Sequence, residues 1–528
     1  MNPRNENDWT TGIKDDQTTI GHRDSLKGFL TGIKWGRSIP IRAPSVGHGA
    51  PVFRGSLIAA WFLASLSLSS LAHALPGDTL NSQDVVTRGK YVSVAADCMA
   101  CHSAPHGGKP FAGGYGIDTP LGKIYSTNIT PSTSAGIGSY SEAEFSNAIR
   151  RGIRRDGRHL YPAMPYTSYA KMSDTDVSAL YAYFMHGVAP VDEPISQKTD
   201  LPFPFGYRGL MSVWNGMFLD EKPFQEDHTR SAEWNRGAYL SKALAHCDSC
   251  HTPRNAMMSE IGSADLSGAS LGSWYAPNIT SDPVSGVGGW TDQELYQYLK
   301  TGHVAGKAQA AGPMAEAIGN SLQHLNDSDL KSLVTYVKQS PPIASSGVDK
   351  PRYGYGKPSA SEVELRGTAN PDRGWQIFSG SCAACHQVNA TGTGNNDYPS
   401  LFHNTATGGE HPDNLIATIV FGLTRDINGK TTFMPGFGPQ ASYTERLSDE
   451  DIAAVSNYVL TQYGNAKLKV TPEDVATIRQ GGPAPMIAKL VPAALIAFLV
   501  FIVAVVSWIV IRRRKSVTVR PQHSALRK

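Results

Sequence analysis

Cysteine and histidine recur together in this chain at one spacing. Cys98-Met99-Ala100-Cys101-His102, Cys247-Asp248-Ser249-Cys250-His251 and Cys382-Ala383-Ala384-Cys385-His386 take all 6 cysteines of the sequence. Cys-x-x-Cys-His is the attachment pattern of a c-type haem. The two thiols add to the vinyl groups of the porphyrin as thioethers, and the histidine coordinates the iron from one side. With 6 Cys and 16 His in 528 residues, chance supplies about 0.002 such matches; the chain has three. A zinc site built on these pairs needs a second ligand pair nearby. A disulfide framework leaves the histidines unexplained.

An iron held by one histidine needs a second axial ligand for pure electron transfer, and methionine is a common one that raises the potential. Met164 in Tyr161-Pro162-Ala163-Met164-Pro165-Tyr166, Met314 in Gly312-Pro313-Met314 and Met434 in Phe433-Met434-Pro435-Gly436 stand at corresponding places. They follow the motif histidines by 62, 63 and 48 residues. Each adjoins a proline, which stiffens the loop in an extended form. Met172, Met185, Met257 and Met258 read as core filler. His159, near Met164, and His303 and His324, flanking Met314, are rival ligands; bis-histidine ligation lowers the potential.

The elements that must position these groups also recur, and repeats take precedence over fold guesses. An Arg-Gly pair precedes each motif (Arg88-Gly89, Arg236-Gly237, Arg373-Gly374), followed by aromatic residues at helical spacing (Tyr91, Tyr239, Trp375 with Phe378). This predicts a short helix leading into each motif. Ser173, Asn326 and Ser448 each have an acid three positions on and an apolar residue before (Met172, Leu325, Leu447), which predicts the N-terminus of a closing helix. A tyrosine follows each cap by ten positions: Tyr183, Tyr336 and Tyr458. Tyr125-Ser126-Thr127-Asn128-Ile129-Thr130 parallels Tyr275-Ala276-Pro277-Asn278-Ile279-Thr280, and the third copy lacks it. Proline-rich links run from Pro190 to Pro204 and from Ser340 to Pro358. The aromatic stretch Phe203–Phe218 is read as a plug between domains in preference to a partner surface. The expected architecture is all-α: three tandem cytochrome c domains at 84–192, 230–340 and 365–465, and a single C-terminal transmembrane helix at 490–511.

A formal net charge of +3 is too small to suggest nucleic acid. The apolar run Ser56–Leu71, preceded by Arg54 and followed by Ala72-His73-Ala74, has the form of a secretory signal peptide. Residues 1–74 are read as leader plus signal, with no role attached to the long polar stretch 1–55. Leu490–Ile511 is long and apolar enough to span a bilayer. Trp508 and then Arg512-Arg513-Arg514-Lys515 close it, which puts that end in the cytoplasm and the rest of the chain outside.

Met164-Pro165-Tyr166, Leu180-Tyr181-Ala182-Tyr183-Phe184 and Leu201-Pro202-Phe203-Pro204-Phe205, with three haem motifs and a terminal anchor, resemble the cytochrome c subunits of membrane-bound dehydrogenases of acetic-acid-type bacteria. The likeness covers about residues 80–515. The resemblance implies an electron-transfer subunit of an oxidoreductase complex, not itself catalytic, on the periplasmic side of the inner membrane. It implies three covalent haem c groups and a large dehydrogenase partner of quinoprotein, flavoprotein or molybdopterin type, with room for a third small subunit. Ubiquinone in the membrane is the implied acceptor. Two other readings stay open: a multihaem module of an oxidase branch, and a haem peroxidase, which needs a vacant axial position. No G-x-G-x-x-G dinucleotide fingerprint is present.

Overall fold

The computed structural model describes residues 82–517, except 106, 120, 360–366 and 395–396 and the side chains of 515–517. The signal peptide and the leader read from the sequence lie outside the described residues.

The same helical frame is built three times. The opening helices are Ser82–Ala95, Ala232–Tyr239 and Arg373–Ile377. Each leads through a tight turn into a motif helix: Cys98–His102, Cys247–His251 and Ala383–His386. In the second and third copies that lead is one turn of π-helix. A middle helix follows (Glu142–Arg151, Asp292–Thr301, Asp413–Phe421), then a closing helix (Asp174–His186, Asp327–Lys338, Asp449–Tyr463). Opening and closing helices of each copy pack together.

The Arg-Gly pair explains how the two helices cross. A Cβ on Gly89 would stand 1.9 Å from the carbonyl oxygen of Ala179, on Gly237 1.9 Å from that of Ser332, and on Gly374 2.3 Å from that of Ala454. Only a residue without a side chain lets the backbones come so close. The repeated tyrosines lie at the same crossing, the Cβ atoms of Tyr183, Tyr336 and Tyr458 within 2.8 Å of those points. The arginine one position earlier reaches the acid of the closing helix: Arg88 to Asp176, Arg236 to Asp329 and Arg373 to Asp451.

The caps stand where the sequence places them. Ser173, Asn326 and Ser448 accept from the backbone N–H of Asp176, Asp329 and Asp451. In the first two copies the cap N–H groups do not close a capping box but donate to the hydroxyls that cross between copies, Ser173 to Tyr239 and Asn326 to Tyr91. Full capping boxes occur instead on the middle helices, at Ser141 with Glu144 and at Thr291 with Glu294.

The first two copies are joined by exchange. Tyr91 of the first opening helix donates to Asp329 of the second closing helix (2.6 Å), and Tyr239 of the second donates to Asp176 of the first (2.5 Å). Their cores are continuous: Val92, Tyr169, Met172, Leu180 and Phe184 share one apolar cluster with Leu240, Leu244, Ile318, Leu330 and Leu333. Gln376 occupies the corresponding place in the third copy. That copy has its own core around Phe378, Ile416, Val455 and Tyr463. It meets the second copy through hydrogen bonds, Arg425 donating to the carbonyls of Gly302 and Ala310 and the side chain of Asn414 pairing with the backbone of Tyr275, and through apolar contacts of Trp274 with its core and of Leu423 and Ile427 with the shared one.

Two expectations are modified. The described residues are mostly helical but include four two-stranded antiparallel hairpins, so the fold is not purely α. The stretch Phe203–Phe218 is not a plug. Phe203 is 80% exposed and Tyr207 68%, and of its helix Leu210–Phe218 only Trp214, at 6%, is buried. Trp214 anchors through its indole N–H to the carbonyl of Met257. One apolar stripe does not bury both faces of a nine-residue helix.

The last helix runs from Met486 to Val517, through Pro492, and extends past the predicted span at both ends. It is long and apolar enough to cross a membrane, and none of its apolar window is buried in the molecule.

Candidate haem-binding sites

Each motif helix is one turn long, so its cysteines and histidine project from a single short element. All six cysteines are free thiols and half-buried. Burial pushes Cys98, Cys101, Cys247 and Cys382 up to about 12 and Cys250 to about 11. Among the described residues no group of three or more His, Cys, Asp or Glu side chains is arranged to hold a metal ion.

The motif histidines are held alike. His102 Nδ1 lies 2.6 Å from the carbonyl of Thr127, His251 Nδ1 2.6 Å from that of Pro277, and His386 Nδ1 2.9 Å from that of Pro399. A carbonyl only accepts, so Nδ1 carries the proton and Nε2 keeps its lone pair. A second partner of this kind sets the tautomer and orientation of a metal-ligating histidine. Burial lowers the pKa of all three rings, that of His251 to about 4, which keeps them neutral. The donor set therefore fits a covalent haem: two thiols and one oriented, neutral imidazole on each turn.

The carbonyls are positioned by sequence. In the parallel segments, Asn128 accepts from the backbone and hydroxyl of Thr130 and donates to the carbonyl of Val191. Asn278 does the same with Thr280 and Ile343. The asparagine thus pins the residue just before it, Thr127 or Pro277. Sequence comparison found no such segment in the third copy. There Pro399, in Tyr398-Pro399-Ser400, supplies the carbonyl on a different loop.

The three methionines share a register the sequence reading missed. Each follows by twelve positions a glycine that ends the middle helix with positive φ: Gly152 (φ 62), Gly302 (φ 69) and Gly422 (φ 76). A positive-φ glycine ends each helix, left-handed at Gly152 and Gly302 but with an extended ψ of −166° at Gly422, and the chain returns as a short hairpin or bridge: Ile153 with His159, His303 with Gln309, Leu423 with Met434. A glycine after a helix of acidic start and basic or neutral end was the available signal.

The structure brings Met164 and Cys98 onto one apolar cluster, and Met434 and Cys382 onto another. Met314 packs on the shared core of the first two copies, whereas Cys247 packs on the adjoining cluster around Trp290 and Val337. The rival histidines differ. Nε2 of His324 is 3.1 Å from the carbonyl of Gly319. His303 has Nδ1 2.5 Å from Gln309 Oε1 and a buried Nε2 with no partner. His159 has a buried Nδ1 with no partner.

The first and second copies meet at the second motif, where Ser168 of the first donates to Asp248 and lies 3.1 Å from the hydroxyl of Ser249. The indole of Trp274 lies against Gly312, two positions before Met314. Its ring centroid is 6.4 Å from that of Phe421, at the end of the helix next to the Met434 loop.

These features define a cytochrome c. The cytochrome c family model matches residues 86–187 and 371–462, the first and third copies. Over 81% of its length the chain is 45% identical to the fructose dehydrogenase cytochrome subunit of Gluconobacter japonicus, covering 91% of that protein. It is 38% identical to the gluconate 2-dehydrogenase cytochrome c subunit of Pantoea cypripedii, over 79% of this chain and 95% of that one. With the cytochrome c subunit of the quinone-type alcohol dehydrogenase of Gluconobacter oxydans it shares 34% identity, over 81% and 87%. The chain belongs to this family of cytochrome c subunits of dehydrogenase complexes, and its work is electron transfer.

Proposed function

We propose that the chain carries three covalent haem c groups, one per copy, and passes electrons from a dehydrogenase subunit to ubiquinone. The domains are 84–192, 230–340 and 365–465. Cys98 and Cys101, Cys247 and Cys250, and Cys382 and Cys385 form the thioethers. His102, His251 and His386 are the proximal ligands; Met164, Met314 and Met434 are the distal ones. A His/Met iron needs little rearrangement between its oxidation states, which suits transfer over catalysis. The observation that carries this reading is a threefold recurrence: an imidazole fixed by a backbone carbonyl, and a methionine twelve residues beyond a positive-φ glycine that ends the middle helix. It extends to the middle copy, which the family model leaves unmatched.

The partner is a large subunit that oxidises an alcohol, aldehyde, sugar or sugar acid, and the likeness to a fructose dehydrogenase subunit makes a sugar the first substrate to try. The Met486–Val517 helix is the anchor, with Arg512, Arg513 and Arg514 on the cytoplasmic side and the three copies in the periplasm.

The test uses membranes that contain the tagged chain. Fructose, gluconate, sorbitol, ethanol and acetaldehyde are added in turn while c-haem absorption is followed, and co-purifying subunits are identified. Rapid reduction by one substrate, with three haems per chain by pyridine haemochrome, is expected. Chemically reducible haem that none of the substrates reduces would turn the reading toward an oxidase-branch cytochrome.

A further inference from the structure

We infer that the head group of a membrane quinone binds in a cavity where the third copy and the segment that leads to the anchor meet the Asp118–Lys123 hairpin of the first copy and Ser273 of the second. The inference rests on the proposed function, and it assigns the place where the acceptor is met. The cavity has a volume of about 600 Å³, within the range of small-molecule sites. One wall is apolar: Val420, Phe421 and Pro439. Another carries hydrogen-bonding groups: Gln440, Arg479 and Gln480.

Three observations point to a quinone there. The first is proximity to the Met434 loop. A Cβ on Gly436 would lie 2.8 Å from the carbonyl carbon of Phe421, and Phe437 and Gly438 donate to the carbonyls of Ile419 and Val420. The cavity wall is thus the same helix end and loop that present Met434.

The second is tether length. Gly481 lines the cavity and Met486 begins the apolar helix. Five residues span at most about 18 Å fully extended, so the site stays within that distance of the anchor whatever path the link takes. A lipid-soluble ligand must be met close to the bilayer. Phe421, Phe433 and Tyr443 are also exposed on this copy, at 46%, 60% and 92%, and exposed aromatic rings suit the interfacial region.

The third is the donor chemistry. Gln440, Arg479 and Gln480 line the cavity with side chains whose N–H groups can donate to a quinone carbonyl, and Arg479, ion-paired with Asp449, keeps 21% of its side chain exposed. Reducing a quinone to the quinol consumes two electrons and two protons. The electrons are those taken from the substrate of the partner subunit. The protons come from water at the mouth, where Asp118 and Lys123 are exposed.

The experiment places the full chain with its dehydrogenase partner in lipid nanodiscs and irradiates it with an azido-benzoquinone bearing a short tail. Label is expected on peptides within 418–441 and 472–481, and to be competed away by unlabelled short-tail quinone. Arg479→Gln and Phe421→Ala should each raise the KM for that quinone by about tenfold, the loss of roughly one good contact, with haem content per chain and the reduced-haem spectrum as the control for folding. Label confined to the anchor helix or to residues 203–217 overturns the site. So does an unchanged KM in both variants. If the quinone fails to oxidise the substrate-reduced haem at all, the proposed function falls and this site with it; if it oxidises it but labels elsewhere, only the site falls.

Discussion

A carbonyl oxygen decides the chemistry of each motif histidine. Thr127, Pro277 and Pro399 fix the proton on Nδ1, so Nε2 is the only coordinating atom left on each ring. The distal side is less uniform, because in the second copy His303 offers a buried, unpartnered Nε2 shortly before the helix Gly312–Asn320 that carries Met314. With methionine ligation, Met314→Ala converts one haem of three to a high-spin form, and His303→Ala leaves all three low-spin. Met434→Ala has the same effect on a different haem and also slows quinone reduction. Absorption near 700 nm, magnetic circular dichroism and potentiometric titration check these outcomes. A low-spin spectrum retained in Met314→Ala but lost in His303→Ala would transfer the ligand role, and with it a lower potential within the roughly 0.8 V that axial ligands span.

At the level of the helices, the frame depends on a close crossing. Gly89→Ala and Gly237→Ala each drive a methyl group to 1.9 Å from a backbone oxygen, and the helices must part. A loss of about 1–3 kcal/mol or more is expected, measured by urea unfolding of the holoprotein. Exposed Gly157, with no atom within 4 Å of its would-be Cβ, is a poor control because its φ is positive; Gly216, open and helical, should tolerate alanine.

The arginine beside that glycine makes the frame sensitive to acid. Burial alone would raise Asp329, but the hydrogen bonds from Arg236 and Tyr91 outweigh it and hold its carboxyl below the ordinary range. A carboxyl lowered on folding contributes stability that is complete above its unfolded value, about 3.9. That contribution is lost as pH falls through the lower folded value. The joint between the first two copies should therefore weaken below about pH 4. In Asp329→Asn this acid-dependent loss should shrink while stability at neutral pH falls, as followed by thermal unfolding between pH 2.5 and 7. An unaltered acid profile in the variant would assign the pH dependence elsewhere.

Across the whole molecule, the three copies are not equivalent partners. The first two share one buried apolar core and exchange tyrosines, while the third has its own core and meets the rest through hydrogen bonds and a few partly buried apolar side chains, Trp274 on one side and Leu423 and Ile427 on the other. A shared core behaves as one core cut in two; a smaller, mixed seam allows separate folding. Residues 82–345 should therefore be recovered as a folded two-haem piece. Residues 82–200 alone, with Met172 and Leu180 left without the facing Leu330 and Leu333, should aggregate. A chain ended at Gly482 should keep three haems and leave the membrane fraction. Expression, haem stoichiometry and ultracentrifugation distinguish these outcomes; a stable, monomeric 82–200 piece would contradict the shared core.

The local sequence determined the groups that bind and the helices that carry them. Cys-x-x-Cys-His is complete within five residues, a cap needs only its own first turn, and a membrane-length apolar run needs only its composition, so each is legible without a fold. The Arg-Gly pairs and the tyrosines ten past the caps were visible as a pattern, yet their purpose was not, because the oxygen that excludes a Cβ belongs to a helix some ninety residues away. The same holds for Pro399, which fixes His386 without sharing the segment that positions Thr127 and Pro277. It holds too for Phe203–Phe218, whose aromatic content suggested burial although no facing surface covers it. Tertiary structure alone decided that Tyr91 and Tyr239 cross between copies while Gln376 does not. A hydrogen bond between residues 238 positions apart depends on where two backbones meet, and no local spacing encodes that.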